Sequence, residues 1–263
     1  MPEEPEINIS GGASGGGQET RFDASEEPAT RAEAVVDRLG DMFWQKTYGD
    51  RDPFDCLVRT ILSQNTSDLA FATDLSGLAD LAEALAGGNR AEIAETISPA
   101  GLHNQKSRVL QTVAERILAE YGSAAAFDEF VATAEYETVR ETLLEFDGVG
   151  PKTADCVLLF AGGRAGVFPV DTHVHRIYRR LGIAPPDADH EGVRAVLENE
   201  VPGEKCGFGH TASIQFGREY CSARKPACLD GPEACPLSDL CDRVGVYPDT
   251  GEVVDPADAA IEE

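Results

Sequence analysis

From Arg31 to Tyr220 the apolar residues recur at helical spacing, and nowhere do they alternate convincingly as a half-buried strand requires. Ala34, Val35, Leu39, Met42 and Phe43 share one stripe of residues 31–47. Asp52-Pro53-Phe54 reads as a helix start, followed by an apolar face of Phe54, Leu57, Val58, Ile61 and Leu62. Ser67-Asp68 opens another helix towards Leu85, closed by Gly87-Gly88. Further helices are predicted over 90–97, 105–121, 126–134, 136–145, 151–161, 173–181, 190–200 and 207–220. Residues after Thr153 are almost uniformly apolar, so the 151–161 helix should be buried. The chain therefore reads as all-α, with about ten helices.

At 263 residues it has room for one large or two modest domains, each with a core. No apolar run reaches the roughly 18 residues of a membrane span. The acidic N-terminus (MPEEPEINIS) is unlike a secretory signal or transit peptide. Net charge is −25, which on totals alone excludes a basic nucleic-acid-binding profile. Residues 1–30 and 246–263 hold much of that charge and read as disordered acidic tails. Five of the 22 basic residues are lysine. Acidic, lysine-poor composition suits a protein kept hydrated at molar salt, so a halophilic cytoplasm is expected.

Four of the seven cysteines, Cys221, Cys228, Cys235 and Cys241, lie within 21 residues. Cys56, Cys156 and Cys206 sit in apolar helical contexts and read as buried small hydrophobes. Four thiolates in one Gly/Pro-rich loop close either a tetrahedral zinc site or a four-iron, four-sulfur cluster. Gaps of six, six and five residues are wider than zinc knuckles and suit the larger cluster.

Residues 144–154 read Leu-Glu-Phe-Asp-Gly-Val-Gly-Pro-Lys-Thr-Ala. One helix meets a tight turn with Gly148 and Gly150, and Pro151 opens the next helix. Glycines there bring backbone N–H groups close to an anion, and the helix N-terminus adds its positive end. Such a clamp reads the phosphate backbone rather than base sequence. Lys152 stands in the first turn, where the helix dipole disfavours its ammonium form. More free amine is what a Schiff-base nucleophile requires, although a plain phosphate contact is the alternative. Asp171 follows nineteen residues later at another helix start. It fits an N-cap, a carboxylate stabilising developing positive charge, or both.

Together these segments identify a resemblance to the endonuclease III family of helix-hairpin-helix DNA glycosylases. It runs from about residue 31 to 245 and rests on five segments. They are Ile61-Leu62-Ser63-Gln64-Asn65-Thr66-Ser67-Asp68, Gly101-Leu102-His103-Asn104-Gln105-Lys106, Gly148-Val149-Gly150-Pro151-Lys152-Thr153-Ala154, Val170-Asp171-Thr172-His173 and the cysteine loop.

The resemblance implies two helical lobes with damaged double-stranded DNA bound across their cleft. A six-helix barrel would span 54–164. Residues 31–53 with 165–245 would form the iron–sulfur lobe, its [4Fe-4S] cluster held by the four loop cysteines. The resemblance further implies that Lys152 attacks C1′ of a flipped-out nucleotide with help from Asp171, and that β-elimination then cuts the strand. Gln64 or Asn65, with Leu102, would fill the gap left by the base. Gly148, Val149, Gly150 and Lys152, with Arg224 and Lys225, would contact DNA. Oxidised pyrimidines are the expected lesions, and the protein is expected to act as a cytoplasmic, nucleoid-associated monomer without membrane contact.

Two positions depart from the family pattern. The usual cysteine gaps are six, two and five, whereas the middle gap here is six. Many members place Gln where this chain has Asn65. A monofunctional mismatch, uracil or adenine glycosylase is the nearest alternative, and a non-enzymatic iron–sulfur electron carrier a more distant one. Residues 164–225 hold nine bases and eight acids, so a local basic face is expected from Lys152, Arg176, Arg179, Arg180, Arg218, Arg224 and Lys225.

Overall fold

The computed structural model describes residues 27–45, 51–64 and 80–259. Eleven α-helices appear among them. The described residues divide into two compact units, one made from 27–45 with 165–259 and the other from 51–64 with 80–164.

The continuous unit contains α2 (Pro53–Ser63), α3 (Leu81–Gly87), α4 (Arg90–Thr96), α5 (His103–Tyr121), α6 (Ala124–Thr133), α7 (Tyr136–Leu144) and α8 (Pro151–Phe160). Asp52 makes no side-chain cap for α2, and the carboxylate of Asp128 on α6 substitutes, accepting from Phe54 N at 2.8 Å. α8 packs against α2 and α7 and buries every residue from Thr153 to Phe160. That includes Asp155, whose carboxylate is held by Arg140 Nε at 2.7 Å. Leu57, Ile61, Leu110, Ile117, Phe127 and Leu143 fill the core. The predicted helix from Ser67 falls mainly on 65–79, outside the described residues.

The discontinuous unit contains α1 (Arg31–Met42), α9 (Thr172–Arg180), α10 (His190–Glu200) and α11 (Gly203–Glu219). Thr30 caps α1, accepting from Glu33 N. The helix stops at Met42 rather than 47, because Phe43 turns extended and the Gln45 amide bonds the Gly40 carbonyl. α11 packs on α1 and α9. A Cβ at Gly209 would lie 2.8 Å from the Phe168 ring, so glycine permits the close approach there.

Over its described residues, 246–259, the C-terminal segment is not the disordered tail expected over 246–263. Strands β1 (Val246–Tyr247) and β2 (Glu252–Val253) pair antiparallel, and a 3-10 turn covers Pro256–Asp258. Asp255 caps that turn and pairs with the buried guanidinium of Arg179, while Val246 and Pro256 are buried. Acidic composition suggested solvation, yet one of its acids neutralises a buried cation. The other expected tail lies outside the described residues over 1–26.

Candidate functional site

In the continuous unit, α7 and α8 are joined by a turn at 145–150. Val149 N donates to Phe146 O, and the first turn of α8 bonds Gly150 O. Gly148 has φ +84°, and a Cβ there would lie 2.7 Å from the Val109 side chain of α5. Both facts demand glycine. A Cβ on Gly150 would meet nothing within 4 Å, so its room faces outward. Among the described residues, neither glycine N–H has a backbone partner. The Val149 side chain is buried and anchors the turn, and its N–H is taken up by Phe146 O. Lys152 is the second residue of α8 and is half-buried.

Two flanking residues carry distinct signals. Leu102 is the one exposed large hydrophobic among the described residues, at 53% exposure. Its backbone is left-handed, with φ 46° and ψ 32°, immediately before α5. A leucine there costs about 1–2 kcal/mol, and an outlier that is both strained and exposed points to function. Gln64 ends α2, and its amide donates to Gly148 O at 3.3 Å and Thr153 Oγ1 at 3.0 Å. Its side chain is thus tied to the 145–150 turn. Asn65 lies outside the described residues.

In the discontinuous unit, Asp171 caps α9. Its Oδ1 accepts from His173 N at 2.8 Å and Val174 N at 2.9 Å. Oδ2 makes no hydrogen bond among the described residues. One carboxylate can therefore cap with one oxygen and offer the other.

Cys221, Cys228, Cys235 and Cys241 all line one pocket, alongside Ile177, Phe216 and Val246. Among the described residues, no three His, Cys, Asp or Glu side chains come close enough to hold a single metal ion. Four thiols that line one pocket can bind one shared group. Burial pushes the thiols of Cys228 and Cys235 up, and that of Cys241 up to about 12, so their thiolates need positive partners. Arg180 and Arg243 also line the cavity, and the Nε of each is buried without a hydrogen-bond partner among the described residues. Arg180 Nη1 is 3.6 Å from Cys221 Sγ, and Arg243 N is 3.3 Å from Cys241 Sγ. The residues fit a polyanionic sulfur cluster.

The expected basic face is only partly available. Arg179 is buried against Asp255 and the Pro186 carbonyl. Arg180 is buried and donates to the carbonyls of Ser222 and Ala223. Arg176 binds the Cys221 carbonyl. These three brace the cysteine loop and the C-terminal segment. Arg218, Arg224 and Lys225 stay exposed. Ser222 Oγ closes the tight turn that carries Arg224 and Lys225, bonding both N and O of Lys225.

Sequence reasoning missed Lys106 and Arg243. Lys106 had a signal: it stands three and four residues before Val109 and Leu110, on the buried stripe of α5. Arg243 follows the last cysteine by two residues and had none.

Residues 58–202 match the HhH-GPD superfamily of base excision DNA repair proteins. The chain belongs to that superfamily. Residues 221–241, from the first loop cysteine to the last, match the iron-sulfur binding domain of endonuclease III. Endonuclease III of Bacillus subtilis is 30% identical over 214 residues, covering 80% of this chain and 90% of that protein. A non-covalent endonuclease III–DNA complex superposes with TM-score 0.65 at 26% identity, covering 81% of this chain and 96% of that one. A trapped endonuclease III–DNA covalent intermediate gives 0.64 at the same identity and coverage.

The fold is thus the all-α helix-hairpin-helix glycosylase fold. The protein is a base-excision DNA glycosylase of the endonuclease III family, and its cofactor is a [4Fe-4S] cluster. No helix among the described residues is long and apolar enough to cross a membrane.

Proposed function

We propose that this glycosylase is bifunctional and removes oxidised pyrimidines such as thymine glycol from duplex DNA. The neutral amine of Lys152 attacks C1′ of an extruded nucleotide, which a stacked duplex would shield. The glycosidic bond breaks, and its electron pair leaves with the base, which takes up a proton. Ring opening gives an iminium between Nζ and C1′. Loss of a C2′ proton expels the 3′ phosphate oxygen, and water frees Lys152. The observation that carries this reading is a lysine on the first turn of α8, directly after a turn with open glycine N–H groups.

Asp171 stabilises the developing positive charge at C1′ through its second carboxylate oxygen. Gly148 and Gly150 bind backbone phosphate through their main-chain N–H groups and the α8 N-terminus, with Val149 anchoring the turn between them. Arg224 and Lys225 contact phosphates from the cysteine loop. Leu102 fills the space of the extruded base; the ties of Gln64 to Gly148 and Thr153 favour Asn65 as the inserted amide. Cys221, Cys228, Cys235 and Cys241 hold the cluster, with Arg180 and Arg243 offsetting its charge.

Five lysines among 22 bases and a net charge of −25 support work at molar salt. At about 1 M salt the Debye length is about 3 Å, which screens the acidic surface from DNA.

Borohydride trapping on thymine-glycol duplex tests the reading. A covalent adduct present in the wild type and absent in Lys152→Gln supports it. Base release with no adduct would move the protein to the monofunctional class.

A further inference from the structure

Lys106 is 3% exposed, and its Nζ donates to Leu62 O and Ala100 O, both at 2.7 Å. No carboxylate pairs with it among the described residues, and burial alone pulls its pKa down. A buried ammonium held only by carbonyls is a costly way to fill a core position that methionine or leucine would suit. The two carbonyls explain the choice. Leu62 lies two residues before Gln64, on the last turn of α2. Ala100 lies two residues before Leu102, at the end of a 3-10 turn. One ammonium therefore bridges the end of α2 and the turn that presents the strained, exposed leucine. The amide of Gln64 continues the connection from α2 to Gly148 and Thr153.

We propose that Lys106 is a positioning residue, which holds the Leu102 wedge in register with the end of α2 so that a lesion can be extruded from a paired duplex. The inference rests on the glycosylase reading above. It assigns Lys106 to extrusion, while the chemistry at C1′ proceeds without it. A lesion that is already unpaired should therefore escape the need for Lys106.

The test compares single-turnover excision of one thymine glycol in a fully paired duplex and in an unpaired bubble. Lys106→Met should slow the duplex reaction by at least about tenfold, the scale of a small misplacement of a positioning element. It should leave the bubble reaction within about twofold of wild type. Leu102→Ala should also slow the duplex reaction, and on duplex the double variant should be no slower than the slower single variant. Lys106→Gln keeps N–H donors and should recover part of the duplex rate; it carries the same comparison if Lys106→Met does not fold. Equal losses on both substrates, or no loss on either, overturn the inference. A wild-type protein that releases no base from either substrate overturns the glycosylase reading, and the inference with it.

Discussion

The ammonium of Lys205 lies 2.6 Å from the carboxylate of Asp37, joining α11 to α1 in a site nearly closed to solvent. Glu33 supplies a second carboxylate at 2.8 Å. Burial lowers the lysine pKa, but the two acids more than offset this and leave it raised. Removing the cation would strand two buried carboxylates. Lys205→Met should therefore destabilise the protein by about 3–5 kcal/mol. Chemical denaturation at fixed high salt would read this, and a loss below about 1 kcal/mol would mean the pair is solvated in solution.

Asp128 gives a pH dependence of definite sign. Burial, with the charges of Asp52 and Asp55 beside it, raises its pKa from 3.8 to about 6 despite the bond from Phe54 N. A carboxyl raised on folding takes up a proton as the chain folds between those values. Its contribution to stability therefore improves as pH falls through 6 towards 3.8. Asp128→Asn keeps an acceptor for Phe54 N and removes the charge. It should melt a few degrees higher than wild type at pH 7.5, with the advantage shrinking as pH falls through 6 towards 3.8. Parallel melting curves across that range would refute the assignment.

Much of this was legible from the chain. Helical spacing gave the elements, and the GVGPKTA segment gave the α7–α8 turn, because glycine, proline and apolar periodicity act locally. Three features were not legible. Arg179 and Arg180 looked like surface charge, since nothing local reveals that the Asp255 carboxylate and the Ser222 carbonyl return to meet them. The 246–259 segment looked disordered for the same reason. Lys106 sat on the right stripe, but its partners lie six and forty-four residues away. Long-range polar pairing leaves no periodic trace.

Leu102 separates stability from function. Glycine at that position relieves a left-handed strain of about 1–2 kcal/mol but adds about 0.5–1 kcal/mol of unfolded-state entropy. Leu102→Gly should melt within a few degrees of wild type, on either side. It should nevertheless lose duplex excision by at least about tenfold, because the exposed side chain is gone. A silent Leu102→Gly in excision assays would remove the wedge role.

The C-terminal segment can be deleted to test its order. A chain ending at Val244 loses Val246 from the wall of the cysteine cavity and Asp255 from Arg179. It should melt lower and lose its visible cluster absorbance faster in air. A free tail would make the same truncation silent in both measurements.

Asp171 allows its two roles to be taken apart, because its two oxygens do different things. Oδ1 holds the N–H groups of His173 and Val174, and Oδ2 is uncommitted among the described residues. Asparagine caps helices about as well as aspartate, whereas alanine forfeits about 1 kcal/mol. Asp171→Asn should therefore keep its melting temperature and its DNA affinity while excision slows. Asp171→Ala should lose both stability and excision. If excision by Asp171→Asn matches wild type, the free oxygen does no chemistry and the residue is a helix cap alone. If Asp171→Asn slows excision while melting unchanged, the charge itself is at work.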